Sequence, residues 1–348
     1  MKISSLDVAH AAGVSPATVS LVLNGRTHIA LSPATRQRVR EAAERLGYRP
    51  NHLARSLHRG KSQTIGVVLP SLASSYVARI AEGIQTEAGL SDHRMLLAHT
   101  RHDPQVEIQQ FELLLQHKVE GIVIVTGETT LPMLADRLAV LGRAQVPCVV
   151  VDDRTHADRV DCVVSDDRLG AELAVLHLVA GGHRRIAHLA AGTFTSTARD
   201  RLAGYQAALR KAKLPFSQAL VLGNSYLGGE STAALEQLLA SSNPPTAIFA
   251  ANDRRLAELL PLFRSRALRV PAALALVGYA NYDFAEYLDL TSVDQHPTEL
   301  GRAAFRRLLA RIAKPRMEPK LIELPIRLVP RGSSANRNSS PRPNNISS

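Results

Sequence analysis

The chain has 348 residues, which is enough for two or three domains, and its 45% hydrophobic content can fill a sizeable core. No apolar run reaches the ~18–20 residues that a membrane-spanning helix needs, and the N-terminus has no apolar segment of the kind found in secretory signals. The two cysteines, Cys148 and Cys162, are too few for a disulfide framework or a four-ligand zinc site. These features predict a soluble, reduced, cytoplasmic protein and exclude a membrane protein, a zinc finger and a disulfide-rich secreted domain.

The formal net charge of +11 is concentrated at the two ends of the chain. Residues 1–62 carry 10 Lys and Arg against 3 Asp and Glu, whereas residues 63–330 carry 29 against 28. Residues 331–348 add three Arg and no acid, in a Ser-, Asn- and Pro-rich tail that is typical of disorder. A basic head on a nearly neutral body suggests a module that binds a polyanion, although charge alone fits a solvated basic surface equally well.

Start and stop signals in the head predict three short helices. Ser4 can cap the first helix, Gly13 supplies a tight turn, and Ser15-Pro16 and Ser32-Pro33 each pair a capping serine with a proline suited to the first helical turn. The predicted helices are Ser5 to Ala12, Pro16 to Asn24 and Pro33 to Leu46. Two short helices joined by a turn, with a third bracing them, form a helix-turn-helix.

The head resembles the opening of the lactose-repressor (LacI/GalR) family of bacterial transcription regulators. The resemblance lies in Asp7-Val8-Ala9, Ala12-Gly13-Val14-Ser15, Thr18-Val19-Ser20, Val22-Leu23-Asn24, Leu46-Gly47-Tyr48-Arg49-Pro50-Asn51 and Ala54-Arg55-Ser56-Leu57. It implies a recognition helix from Pro16 to Asn24 in the DNA major groove and a hinge helix that begins near Pro50. The residues that it places against DNA are Ser4, Ser15, Pro16, Ala17, Thr18, Ser20, Leu21, Asn24, Asn51, Ala54, Arg55 and Leu57.

The positions with which the family selects its operator hold Pro16, Ala17 and Leu21. None of these side chains forms hydrogen bonds, so we expect methyl contacts and DNA shape to carry more of the specificity, unless other head residues read the bases. Ser15, Thr18 and Ser20 offer hydroxyls to phosphate oxygens, although Ser15 is also a helix cap.

The hinge segment carries Leu57, which the resemblance predicts to wedge into a minor-groove base step beside Arg55. Without the resemblance, packing of Leu57 on the body is the simpler interpretation. A helix this short is marginal alone, so its formation on DNA implies a homodimer.

From Thr64 the pattern changes to short apolar runs separated by helix-length amphipathic stretches, which predicts parallel α/β layers. The runs begin at Ile65, Met95, Gly121, Cys148, Cys162, Ile186, Ala247, Leu274 and Thr291. So many strands favour two Rossmann-like lobes, with a ligand between them at the carboxyl ends of the strands. The fold class is therefore α/β, an all-α head followed by a periplasmic-binding-protein-like body.

The resemblance continues through the body, in Gly182-His183-Arg184-Arg185, Arg201-Leu202-Ala203-Gly204-Tyr205, Asn252-Asp253 and Val277-Gly278-Tyr279. It implies three crossings between the lobes, near Asp161, Thr291 and Lys320. The domains expected are a helix-turn-helix over 1–49, a hinge helix and linker over 50–62, a two-lobed effector-binding and dimerisation domain over 63–330 and a disordered tail over 331–348.

Polar residues at strand ends, or aligned with pocket positions of the family, are the effector-binding candidates. They are Tyr76, Asp152, Arg199, Tyr226, Asn252, Asn281 and Gln295. The resemblance implies that Arg199 binds an effector hydroxyl or carboxylate, for which the alternative is a surface salt bridge. Core packing is the default interpretation for either tyrosine, and helix capping for Asn252-Asp253.

The chain departs from the family at several pocket positions. Ala280 replaces an Asp that grips a sugar hydroxyl, Asp167 replaces an Asn, and Arg254-Arg255 replace small or apolar residues. The two arginines suggest an anionic effector such as a sugar phosphate or sugar acid.

We find no catalytic motif, and we expect no cofactor, because the histidines are scattered among loop and strand residues rather than spaced as metal ligands. The sequence therefore predicts a regulator, most simply a repressor, whose partners are double-stranded operator DNA, a small-molecule effector and a second copy of the chain. A solute-binding receptor without DNA function explains the body but leaves the basic head unexplained, as does an enzyme with an unrecognised site.

Overall fold

The computed structural model describes residues 3–23, 31–48, 62–127, 131–191, 195–223 and 231–335. The chain separates into two units, Met1–Ser62 and Gln63–Ser348, each of which is described by itself. Six of the predicted site residues lie outside the described residues: Asn24, Asn51, Ala54, Arg55, Leu57 and Tyr226. The predicted hinge helix is among these segments.

The head contains three helices, which confirms the sequence prediction. They are α1 (Ser5–Ala12), α2 (Pro16–Leu23) and α3 (Pro33–Arg45). Ser4 forms the predicted cap as part of a capping box with Asp7, and Gly13 ends α1 in the left-handed region at φ 63°. The helices enclose a small core that includes Val8, Val19 and Val39.

Within the described residues, no single helix has both the length and the apolar character to cross a bilayer; α1 and α2 satisfy that criterion only as a pair bent by 100°.

The body consists of two six-stranded sheets, and its strands and helices alternate as predicted. The first lobe contains β1 (Thr64–Leu69), α4 (Ser75–Leu90), β2 (Arg94–His99), α5 (Pro104–Gln116), β3 (Gly121–Val125), α6 (Leu131–Arg143), β4 (Cys148–Val151), β5 (Asp161–Ser165), α12 (Pro297–Ala313) and β11 (Leu321–Leu324). Its strand order is β11-β5-β4-β3-β1-β2, with every pair parallel.

The second lobe repeats this plan with one antiparallel edge. It contains α7 (Asp167–Ala180), β6 (Ile186–Leu189), α8 (Ser196–Lys211), β7 (Val221–Leu222), α9 (Ser231–Leu239), β8 (Ala247–Ala250), α10 (Asp253–Ser265), β9 (Ala275–Tyr279), α11 (Asp283–Tyr287), β10 (Thr291–Asp294) and β12 (Arg327–Val329). Its strand order is β12-β10-β9-β8-β6-β7, and β12 runs antiparallel to β10.

Apolar side chains fill both faces of each sheet, as the near-continuous hydrophobic strands require. In the first lobe α4 and α12 cover one face, and α5 and α6 cover the other. Gly83 of α4 and Gly301 of α12 allow the two helices to approach closely, because a Cβ on Gly83 would collide with the carbonyl oxygen of Thr298 and one on Gly301 with that of Ile80.

Each of the three crossings between the lobes follows a strand: β5, β10 and β11. The chain leaves the first lobe after Ser165, returns after Asp294 and leaves again after Leu324. The positions expected from the resemblance, Asp161 and Thr291, begin the strands that lead into the crossings, and Lys320 immediately precedes such a strand. The crossings therefore lie at the carboxyl ends of the strands, where they border the space between the lobes.

The prediction that disorder begins at residue 331 is wrong for the first five residues of the tail. Ser333 Oγ accepts from the backbone N–H of Thr291 at 2.8 Å and donates to the carbonyl oxygen of Leu276 at 2.7 Å. Ser334 Oγ lies 2.8 Å from Nε2 of His177. The serine hydroxyls thus satisfy backbone and side-chain groups of the second lobe, which a composition argument does not anticipate.

Candidate functional site

The outer face of α2 presents the residues predicted to meet base edges. Pro16, Ala17 and Ser20 are exposed, Leu21 is half-buried, and Val19 points into the head core. The exposed face is small and mostly apolar, and it can approach a groove closely but offers little hydrogen bonding.

Helices α2 and α3 begin with the same tetrapeptide, Ser-Pro-Ala-Thr, and the same cap. Ser15 Oγ accepts from the N–H of Thr18 at 3.2 Å, and Ser32 Oγ accepts from the N–H of Thr35 at 3.1 Å. Ser15 therefore caps α2, as the sequence predicts. Its hydroxyl stays at an exposed helix N-terminus, which is also a favourable place for a phosphate.

A cavity of about 150 Å³ lies between the two lobes of the body. It is located at the carboxyl ends of the strands of both sheets, as expected for doubly wound sheets. Among the side chains that line it are Tyr76, His102, Asp152, Arg201, Asn252 and Gln295. Four of the predicted effector residues (Tyr76, Asp152, Asn252 and Gln295) are thus brought together.

Arg201 is the cation most firmly fixed in this cavity. Its Nε donates to Oδ1 of Asp167 at 2.8 Å, and its Nη1 donates to the carbonyl oxygen of Ala251 at 2.6 Å. The guanidinium carbon lies 3.9 Å from the centre of the Tyr279 ring. The ion pair and the ring hold the guanidinium plane in one orientation, the arrangement in which its fork can recognise a pair of acceptors.

Asp152 lies opposite, on the wall formed by the first lobe. Tyr76 donates its hydroxyl to Oδ1 of Asp152 at 2.9 Å, and Asp152 has a positive φ of 67° directly after β4. Burial, assisted by the charge of Asp167, raises the pKa of Asp152 to about 7. This carboxyl can therefore act as donor or acceptor toward a ligand near neutral pH.

Gln295 connects the crossing after β10 to the crossing after β5. Its Nε2 donates to Oγ of Ser165 at 2.7 Å and lies 3.5 Å from Oδ1 of Asp167, while its buried Oε1 has no hydrogen-bond partner. An unpartnered buried acceptor beside a cavity indicates a place for a donor group of a ligand or for water.

Asn252 lines the cavity and also caps α10, while its effector role stays a prediction. Its Oδ1 accepts from the N–H of Arg255 at 3.0 Å. Asp253 instead accepts from Ser292 Oγ at 2.7 Å and from the N–H of Tyr282 at 2.8 Å, and burial raises its pKa to about 7. Asp253 thus positions Tyr282, whose side chain also lines the cavity.

Two predicted effector residues do not line the cavity. Arg199 is exposed and donates to Oγ1 of Thr155 in the first lobe at 3.3 Å. Asn281 accepts from Arg331 at 3.0 Å through its Oδ1. Their effector roles stay predictions. Of the two arginines Arg199 and Arg201, it is Arg201 that lines the cavity.

The signal for Arg201 was present in the sequence. Arg199 and Arg201 lie two residues apart in α8, and a separation of two places side chains on different helix faces. Arg201 opens the Arg-Leu-Ala-Gly-Tyr segment that packs inward, with Gly204 and Tyr205 buried. The polar residues Thr195–Thr197, which form the cap and first turn of α8, favour the nearer arginine, Arg199, when only the sequence is considered.

Two neighbouring arginines at the start of α10, Arg254 and Arg255, differ in environment. Arg254 lines the cavity and donates to Glu258 at 2.9 Å, whereas Arg255 is buried. Asp167 compensates the charge of Arg201, and Glu258 partly compensates that of Arg254. Within the described residues, no group of three or more His, Cys, Asp or Glu is arranged to hold a metal ion.

A helix-turn-helix head and a body with a cavity between two lobes define the class of ligand-responsive transcription regulators. Comparison with known families agrees with this class. Residues 6–51 match the family described as "Bacterial regulatory proteins, lacI family", and residues 175–334 match the "Periplasmic binding protein-like domain".

Relatives match along nearly the whole chain. Catabolite control protein A of Priestia megaterium is 30% identical over 332 residues, covering 94% of this chain and 98% of that protein. The ribose operon repressor of Escherichia coli K12 is 30% identical over 330 residues, covering 94% and 98%. The PurR repressor of Vibrio atlanticus is 28% identical over 331 residues, covering 94% and 97%.

Solved structures show the same architecture. The lac repressor dimer bound to operator and the anti-inducer ONPF superposes with a TM-score of 0.80 at 28% identity, covering 96% of this chain and 99% of that chain. The regulator CelR in complex with cellobiose gives a TM-score of 0.70 at 29% identity, covering 95% and 99%. The chain belongs to the LacI family, and it is a DNA-binding transcriptional regulator.

Proposed function

We propose that this protein is a homodimeric repressor whose affinity for a near-palindromic operator is set by a small polar metabolite bound between the lobes. The observation that carries the proposal is the convergence of Tyr76, Asp152, Arg201 and Gln295, from both sheets, on one cavity in a chain that begins with a helix-turn-helix. A metabolite that favours one angle between the lobes would shift operator affinity, and operator would shift metabolite affinity equally. We expect it to act on the bacterial nucleoid, without enzymatic activity.

The geometry favours a ligand with several hydroxyls over a strongly anionic one. Arg201 is already paired with Asp167, and Asp152 adds a second carboxyl to the cavity. Arg254 is the cation that could still attract a sugar acid or sugar phosphate, because its pairing with Glu258 is exposed and therefore weak. Calorimetric titration with neutral sugars and their phosphates distinguishes the two classes.

The shared Ser-Pro-Ala-Thr start of α2 and α3 allows a matched test of the DNA-binding face. Ala17 and Ala34 are both exposed at equivalent positions, so Ala17→Glu and Ala34→Glu add the same charge to the same helical turn. We expect both variants to fold alike. Ala17→Glu should weaken binding to a selected duplex at least tenfold, because the new carboxylate faces DNA, while Ala34→Glu should change it far less.

Equal losses of duplex affinity in the two variants would contradict the assignment of α2 as the recognition helix. The alternative function, a solute-binding receptor without DNA activity, predicts no selected duplex at all.

A further inference from the structure

The segment that follows β4 reaches from the first lobe to the start of α8 in the second. Asp153 Oδ2 accepts from the N–H of Ser196 at 2.9 Å, and the N–H of Arg154 donates to Ser196 Oγ at 3.0 Å. Each lobe therefore supplies one backbone donor to a side chain of the other. Asp153 and Ser196 are both almost fully buried, so these bonds are shielded from water.

The guanidinium of Arg154 lies between two carboxylates, one from each lobe. Its Nη2 is 2.6 Å from Oδ1 of Asp200 in α8, and its Nη1 is 3.4 Å from Oε2 of Glu323 in β11. Strand β11 leads directly into the third crossing between the lobes. Arg154 thus connects the loop after β4, helix α8 of the opposite lobe and the strand that leads into the third crossing.

This network adjoins the cavity on both of its walls. Asp152, which lines the first wall, precedes Asp153, and Arg201, which lines the second, follows Asp200. Separation of the lobes would remove Asp200 from Arg154 and the Ser196 N–H from Asp153, so both interactions exist only while the lobes lie together. The hydrogen bonds and the ion pair among Asp153, Arg154, Ser196 and Asp200 therefore favour the arrangement with the lobes together, which we call closed.

We propose that Arg154 is a positioning residue that holds the lobes closed, and that the charge pairing at 154 and 200 sets the fraction of closed protein. The consequence for effector binding rests on the proposed function. A ligand that binds only the closed lobes has an apparent affinity proportional to the closed fraction, so a smaller closed fraction weakens its binding. The closure itself is a property of the unliganded chain and does not depend on which metabolite binds.

Two other contacts between the lobes lie outside this network. Arg79 of α4 donates to the carbonyl oxygen of Asn281 at 2.6 Å, and Ser74 Oγ lies 3.2 Å from the Tyr282 hydroxyl. Neither bond has Arg154 or Asp200 as a partner. Reversing the charge of Arg154 therefore weakens one side of the closure without removing the rest.

Hydrogen–deuterium exchange on the full-length, unliganded protein tests the proposal. The variants are Arg154→Glu, Asp200→Arg and the two combined, with Arg159→Glu as control, because Arg159 is an exposed arginine that pairs with Asp158 of its own lobe. We expect each single reversal to speed exchange about tenfold in peptides covering 153–157 and 195–200. The combined variant should restore slow exchange, and the control should leave it unchanged.

Unchanged exchange in both single variants would overturn the proposal, as would a combined variant that exchanges as fast as either single one, since a pairing across the lobes must be rescued by the swap. Faster exchange in the β3 and β8 strands as well would indicate general destabilisation and would also count against it. A protein that passes this test but binds no operator would contradict the proposed function and leave the closure intact.

Discussion

At the scale of single residues, the buried ion pair with Asp167 fixes the orientation of Arg201, which lines the cavity. Asp167 and Arg201 are both at most 5% exposed, so each charge depends on the other for compensation. Burial nevertheless raises the pKa of Asp167, against the effect of Arg201. Truncation of Arg201 would leave the buried carboxylate of Asp167 without its cation, so a conservative change is the better probe.

Arg201→Lys should keep the charge beside Asp167 but lose the fork and the stacking on Tyr279. We expect at least a tenfold loss of effector affinity, measured by calorimetry with whichever member of a panel beginning with D-ribose and cellobiose binds the parent protein. Arg199→Lys is the matched control and should change affinity little. The opposite ranking would restore Arg199 to the role given by the sequence.

Asp152 gives a prediction about pH. Its folded pKa of about 7 lies above the value of 3.8 for a free carboxyl, so ionisation favours the unfolded state and stability is lost as pH rises from about 4 to 7. Asp152→Asn keeps the acceptor for Tyr76 and tolerates the positive φ.

Thermal unfolding should therefore show Asp152→Asn about 2–4 °C more stable than the parent at pH 8, a gain of ~1 kcal/mol, and nearly equal at pH 4. A gain of the same size at both pH values would assign the effect to something other than ionisation.

The structural role of a residue was predictable from the sequence where neighbouring residues determine that role. The Ser4 cap and the turn at Gly13 depend on neighbours within a few residues, and both were correct. The choice between Arg199 and Arg201 depends on which helix face packs inward, and the bond from Arg331 to Asn281 depends on a chain segment 50 residues away. Such non-local contacts leave no local pattern.

At the scale of elements, the central strands were predictable because they are buried on both faces and therefore apolar throughout. Strands β7, β11 and β12 were missed. They are two to four residues long at sheet edges, and β11 alternates between exposed and half-buried positions. Their pairing is dictated by the sheet already formed rather than by their own sequence.

The crossing of α4 and α12 is the element contact most sensitive to side-chain size. Gly301→Ala places a methyl group against the backbone of Ile80, and Gly83→Ala does the same against Thr298. We expect each to destabilise the body by about 1–3 kcal/mol, measured by denaturant unfolding.

Gly89→Ala in the same helix α4 is the control, because nothing lies within 4 Å of its added methyl. It should stabilise the body by ~0.5–1 kcal/mol through helix propensity. Destabilisation by Gly89→Ala equal to that of Gly301→Ala would show that the effect is general to these helices rather than due to the close approach.

At the scale of the whole molecule, the charge distribution assigns different partners to the two units. The head carries a formal charge of +7 and the residues between 63 and 330 only +1, so phosphate contacts should come chiefly from the head. The cavity lies wholly within the body. Variants can therefore separate DNA binding from metabolite binding.

Leu57→Ala should weaken specific operator binding at least tenfold, because the resemblance assigns this leucine a wedge in the minor groove. Metabolite affinity measured without DNA should stay within twofold of the parent. If Leu57→Ala bound operator normally and bound metabolite poorly, packing on the body would be its role instead.

The most direct measurement is fluorescence anisotropy of the full-length protein with a duplex selected from a random pool, titrated at 150 mM salt against random competitor. We predict a preference of at least a thousandfold for the selected duplex, a steep loss of affinity with added salt, and a further change in affinity with one member of the metabolite panel. Equal affinity for selected and random duplex, with and without every metabolite tested, would contradict the function proposed for this protein.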